Sequence, residues 1–119
     1  MNLRPLIWNW PCVTQGDTFP ATNITETSST DTLARVRIKI RIANATESAL
    51  TLDSDDDEGI TITGTGAGAW AFTIDEIPAA TTTGLTAGSY AYDLETTSST
   101  GTVRTEFSGT WEILPQITD

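Results

Sequence analysis

An all-β sandwich is the fold this sequence predicts, and three observations predict it. Thr makes up about a fifth of the 119 residues; it is β-branched, stiff at χ1 and favoured in strands. Lys and Glu, the usual residues of exposed helix faces, are scarce beside it. Segments of two-residue alternation recur along the chain, separated by turn signals at roughly the 8–12-residue spacing of a sandwich.

Each element follows from local pattern. Trp8 and Trp10 start a strand that Pro11 interrupts, so residues 1–14 read as an N-terminal anchor segment. Residues 18–25 form a further strand with Phe19 inward. The clearest strand runs from Ala34 to Ile42. Its apolar positions Ala34, Val36, Ile38, Ile40 and Ile42 share one face, while Arg35, Arg37, Lys39 and Arg41 share the other. Ile60 and Ile62 mark a short strand, and Gly64, Gly66 and Gly68 a tight turn after it. In the next strand Trp70, Phe72 and Ile74 alternate with small residues. Residues 78–84 are a polar crossing with room for one helical turn, anchored by Leu85. Tyr90, Tyr92 and Leu94 then alternate with Ala91, Asp93 and Glu95. Residues 98–101, Ser-Ser-Thr-Gly, turn the chain into a last strand. There Val103, Phe107, Trp111 and Ile113 face inward, and Arg104, Glu106 and Glu112 face out. The sum is a single domain over residues 1–119, with about seven strands and at most one short helical turn. Its core comprises Phe19, Val36, Ile38, Ile40, Ile62, Trp70, Phe72, Ile74, Leu85, Tyr90, Tyr92, Leu94, Phe107, Trp111 and Ile113.

Charge narrows the function. The formal net charge is −10 and the pI about 4.1. Nucleic-acid affinity comes from neutralising phosphates, so neither a nucleic acid nor an anionic membrane is an expected partner. No stretch has the ~18 apolar residues of a membrane span, and Met1 to Trp10 lacks the pattern of a secretion leader, which points to synthesis in a cytoplasm. A single Cys12 forms no internal disulfide and reads as a buried apolar side chain or an idle thiol.

Within this acidic chain, four of six basic residues lie on one face of one strand. Such a row needs carboxylates opposite it. Asp93 and Glu95, or Glu106 and Glu112, supply them from the chain itself; an acidic neighbouring subunit is the other source. Arg35, Arg37, Lys39 and Arg41 are therefore interface candidates. So are Trp8 and Trp10, since Trp is enriched at interface hot spots, although both equally suit a core.

Catalytic groups are sparse. The chain has no His, which removes the commonest general base, the usual triads and most zinc sites. No catalytic, cofactor-binding or metal-ligating residue is assigned, and no enzyme is expected. Asp53, Asp55 and Asp57 have the spacing that opens an EF-hand loop. The glycine falls at the seventh loop position rather than the sixth, and position twelve is Gly64 rather than Glu. A solvated acidic hairpin tip is the better reading of residues 53–58. The glycines at 64, 66 and 68 lack the Lys and the helix of a phosphate loop.

Taken in order, the segments resemble a known family. Gln15-Gly16-Asp17-Thr18-Phe19 precedes the basic strand, then Gly59-Ile60-Thr61-Ile62 and the aromatic strand. Leu85-Thr86-Ala87-Gly88-Ser89-Tyr90-Ala91-Tyr92-Asp93-Leu94-Glu95 follows, and Gly109-Thr110-Trp111-Glu112-Ile113 closes the chain near Pro115. This arrangement is similar to small tail-associated virion proteins of tailed bacteriophages. It also resembles the N-terminal Ig-like domain of phage upper-baseplate proteins, which attaches receptor-binding parts to the tail. The likeness covers about residues 8–118, and the run from Leu85 to Glu95 is its most specific part. Two features depart from it: the weak helical signal before Leu85 and the Trp pair at the N-terminus. The resemblance implies an Ig-like antiparallel β-sandwich and a tail or baseplate adaptor for fibres or neighbouring subunits. It also implies other virion proteins as partners, several copies in a symmetric assembly, and a virion assembled in the host cytoplasm. A capsid decoration protein and a carbohydrate-binding module are the alternative expectations, the latter using exposed aromatics and the acidic loop with calcium.

Overall fold

The computed structural model describes residues 6–26, 30–43, 45, 48–55 and 58–116. Nine strands and one short helix follow in chain order among them. They are β1 (Leu6–Ile7), β2 (Val13–Thr14), β3 (Thr22–Glu26), β4 (Leu33–Ile42), β5 (Leu50–Asp53), β6 (Ile60–Gly66), β7 (Ala69–Ile74), α1 (Ala79–Thr83), β8 (Gly88–Ser98) and β9 (Val103–Leu114). Seven of the strands have four residues or more; β1 and β2 have two each.

Two sheets form. One runs β1-β9-β8-β4-β5, with β2 also on β9, and the other runs β3-β7-β6. The second sheet has the B-E-D order of an immunoglobulin domain. The first has the G-F-C order extended by C′, with the N-terminal segment against its last strand. A second feature agrees. Tyr90 opens β8 just after the connection between the sheets, and its hydroxyl donates to the Thr86 carbonyl at 2.6 Å. A Tyr bonded back to the preceding corner is a hallmark of this fold. The chain is an Ig-like β-sandwich.

The alternation read from the sequence places most of the core. Val36, Ile38, Ile40, Leu94 and Trp111 have no exposure, and Phe19, Trp70, Phe72, Ile74, Leu85, Tyr90, Tyr92 and Ile113 are buried. Ile62 and Phe107 are only partly buried against this cluster. Trp10, Val13, Leu33, Leu52, Ile60 and Ile77 complete it. Removing such side chains from water contributes roughly 1.5–3 kcal/mol each.

Bulges correct the alternation in two strands. In β4 the register shifts between Leu33 and Arg35, so the intervening Ala34 is exposed and Leu33 is buried. In β9 the shift falls opposite Leu94 and Glu95, where Leu94 pairs with Phe107 and Glu95 with Thr105. Glu106 is the extra residue. One inserted residue reverses which face every earlier side chain takes. Val103, expected inward, is 57% exposed. Glu106, expected outward, keeps only 12% of its side chain exposed. Ile42, expected inward, is also exposed, because β4 ends there.

The predicted connections hold. Gly101 has φ 92° and the Ser98 carbonyl accepts its N–H at 2.9 Å. Of the three glycines expected in the next turn only Gly68, φ 72°, turns the chain between β6 and β7; Gly64 and Gly66 belong to β6 and pair with Ala71 and Ala69. The helical turn before Leu85 is α1, five residues long. Phe19 is inward but precedes β3, held by an isolated bridge to Ile77.

Candidate functional site

The basic row of β4 lies between two neighbours, and the register decides what each cation meets. Arg37 stands opposite Glu95 of β8 on one side and Asp53 of β5 on the other; Lys39 stands opposite Asp93 and Thr51. Arg37 bonds Glu95 at 2.9 Å, and Arg41 lies 3.6 Å from Asp93. Arg35 holds Asp53 with two guanidinium nitrogens, Nε at 3.0 Å, and reaches Asp55 at 3.4 Å. Lys39 is exposed, with no carboxylate within 4.0 Å among the described residues.

Asp53 is the anchor of this network. It is 6% exposed, and a carboxylate so placed stays ionised only if paired and hydrogen-bonded. The Arg35 guanidinium holds its carboxyl below the usual carboxylate range; burial opposes this, and the Asp55 N–H, donating at 3.1 Å, assists. The expectation of a solvated acidic tip is therefore corrected at Asp53, a buried structural partner of Arg35, while Asp55 stays exposed as it reaches the same guanidinium. Asp56 and Asp57 lie outside the described residues. Among the described residues no three acidic or thiol groups converge as for a metal.

The basic row is thus answered within the chain for three of its four members. Of the carboxylates expected opposite it, Glu95 and Asp93 take that role. Glu106 instead packs at the far end of β9, where Thr96 donates to it at 3.3 Å and Arg104 lies 3.6 Å away. Burial pushes its carboxyl above the usual range despite Arg104, and Glu26 of the facing sheet adds to the rise.

The two N-terminal Trp do not form an exposed pair. Trp10, an interface candidate, is 5% exposed and belongs to the core. It stacks on Phe19 at 5.4 Å and meets Trp111 edge-on at 5.3 Å and Tyr92 at 4.8 Å. Trp8 is half-buried, edge-on to Phe107 at 5.8 Å. The backbone explains this placement. The N–H groups of Trp8 and Trp10 donate to the Ser108 and Thr110 carbonyls, both at 2.9 Å, so the segment runs parallel along β9 as an added strand. Tyr92 donates its hydroxyl to the Trp8 carbonyl, and burial raises that phenol well above its ordinary range. Gly109 has no Cβ because the Trp8 carbonyl occupies that space. Cys12 between the strands is exposed, so of its two expected readings the buried one is excluded.

The opposite edge of the same sheet is open. Among the described residues β5 pairs with β4 and, on its outer side, meets only Glu58 through a bridge at Asp53. Beside it a cleft of about 230 Å³ is lined by Leu50, Leu52, Ile77 and Pro78, with Glu58 and Glu76 among its walls. Sequence reasoning missed this region: β5 has four residues, too few for a periodic signal.

No protein-family model matches the chain, and no curated protein matches it in sequence. Several solved structures overlap it loosely, three of them as follows. CopC from Methylosinus trichosporium OB3b shares 13% identity over 86% of this chain and 96% of its own, with a TM-score of 0.38. Murine CRIg shares 9% over 94% and 93%, at 0.35. The extracellular portion of mouse CD200RLa shares 11% over 94% of this chain and 56% of its own, at 0.33.

Proposed function

We propose that this domain is a structural adaptor of a bacteriophage virion, in the tail or baseplate, that joins fibres or neighbouring subunits by protein packing. The observation that carries the packing half is the asymmetry of the larger sheet. Its β9 edge is filled by the chain's own N-terminal segment, while its β5 edge keeps backbone at Thr51 unpaired among the described residues, next to an apolar cleft. An open edge is a template for another chain. The likeness in segment order to tail-associated proteins supports the virion half. Its most specific run, Leu85 to Glu95, supplies the bonded Tyr90 corner and the central strand β8. Other virion proteins are the partners, in several copies per particle.

The carbohydrate-binding alternative needs exposed aromatic platforms. Trp10, Trp70 and Trp111 are buried, and the large apolar side chains exposed among the described residues are Ile7, Ile42 and Val103. Labelling particles that carry an epitope-tagged copy tests the proposal. Label at the tail tip is the expected result. Label over the capsid makes it a decoration protein instead, and absence from purified particles overturns the virion reading.

A further inference from the structure

We infer that the β5 edge is a strand-addition site for an extended segment of a partner protein carrying Lys or Arg. The inference rests on the packing reading above and names the partner's chemistry.

Hydrogen bonding defines the site. Asp53 exchanges both backbone bonds with Glu58, at 2.9 Å each, on the side of β5 away from β4. Backbone direction alternates along a strand, so Thr51, two residues earlier, also presents its N–H and C=O outward. Nothing among the described residues meets them. The chain leaves this edge at Gly59, whose φ is 87°. This left-handed φ is what calls for glycine at the turn, and a Cβ there would also press on the end of the Leu52 side chain, 2.7 Å from Cδ2. Beyond it the Gly59 carbonyl accepts from the N–H of Asp75, just past the end of β7, at 2.8 Å. The chain thus fills the slot beside Asp53 and departs, and no described residue fills the slot beside Thr51.

Charge and shape select the occupant. A strand pairing at Thr51 puts its adjacent side chains on the face of Leu50 and Leu52, toward the cleft. About 230 Å³ accommodates one long side chain. Leu50, Leu52, Ile77 and Pro78 suit a methylene stem, and the carboxylates of Glu58 and Glu76 suit a cationic head. Both Glu residues are exposed and have no cation against them among the described residues. The net charge of −10 draws a basic segment in and repels an acidic one.

The test is an amide NMR titration of the whole chain with a capped pentapeptide Thr-Lys-Val-Lys-Thr, and with its counterpart bearing Glu for Lys. Saturable shifts at Leu50, Thr51, Leu52, Gly59 and Ile77 are expected with the Lys peptide alone. The Glu58→Gln/Glu76→Gln double variant weakens binding about tenfold. Thr51→Pro abolishes it, because proline lacks the outward donor yet costs β5 no bond to β4. Absence of saturable shifts at millimolar Lys peptide overturns the inference. So does equal binding of the Glu peptide, or unchanged affinity in the double variant, which decides the matter even if Thr51→Pro does not fold. Particle labelling is blind to this titration, so the virion assignment and the edge site fail separately.

Discussion

The two edges of the larger sheet solve the same problem in opposite ways. Any edge strand leaves a row of backbone donors and acceptors. At β9 the chain satisfies them itself: β1 and β2 run alongside, and the segment between delivers Trp10 into a ring cluster with Phe19, Tyr92 and Trp111. At β5 the strand is four residues long and, among the described residues, its outer side is bonded only where Asp53 meets Glu58. Apolar payload accounts for the difference. A segment that buries a Trp gains enough to offset the entropy of ordering it, whereas the acidic segment after β5 has no such residue. The closed edge therefore carries stability, and the open edge is free to carry recognition.

This division predicts a graded series of effects. Trp10→Ala removes the centre of the closed edge and should destabilise by about 3–5 kcal/mol in denaturant unfolding, the range for large core truncations. A loss under about 1 kcal/mol would show that the edge is not held by the ring cluster. Gly109→Ala places a methyl where the Trp8 carbonyl lies. It should cost about 1–3 kcal/mol, as overpacking does, with a rise in Trp fluorescence quenching by acrylamide as the segment lifts.

Two carboxylates of the larger sheet, Asp53 on the charged face and Glu106 on the side of the facing sheet, set pH dependences of opposite sign. The folded value of Asp53 is depressed, so it contributes stability that is complete above its unfolded 3.8 and lost as pH falls through the folded value. Arg35→Met should cost about 1 kcal/mol at neutral pH, a figure kept small by the 35% exposure of Arg35, and should flatten this acid limb. Glu106 behaves in reverse. Its folded value is raised, so stability is greatest below its unfolded 4.5 and falls as pH rises through the folded value. Glu106→Gln should therefore raise the melting temperature at neutral pH and leave it unchanged below that unfolded value. The smallest effect belongs to the open edge. Glu58→Gln and Glu76→Gln should each leave stability within about 0.5 kcal/mol, because neither side chain meets a cation among the described residues. A larger loss would mean that the cleft is structural.

Much of the fold was legible because its strands are long and half-buried. β4, β7 and β8 read directly from alternation, and so did the turns at Gly68 and Gly101. The errors of face in β4 and β9 share one cause. Alternation gives parity, and a single bulge reverses it, so Val103 and Glu106 exchange faces and Leu33 replaces Ala34. Of the candidate site, the basic row was visible and two of its partners, Asp93 and Glu95, were named. Asp53 was not, because its proximity to Arg35 exists only when β5 folds back on β4. The Trp pair was ambiguous for a similar reason. Two exposed Trp and two buried ones have the same local sequence, and what separates them is the parallel pairing with β9.

The sequence by itself determined that the chain is a β-sandwich, where its long strands and turns lie, and that its cations cluster on one strand. These are local properties, set by residue type and by a period of two. Only the tertiary structure decided which carboxylates neutralise that row, which Trp are core, and which sheet edge stays open. Each of those depends on residues far apart in the chain being brought to one register, and local periodicity carries no information about register between strands.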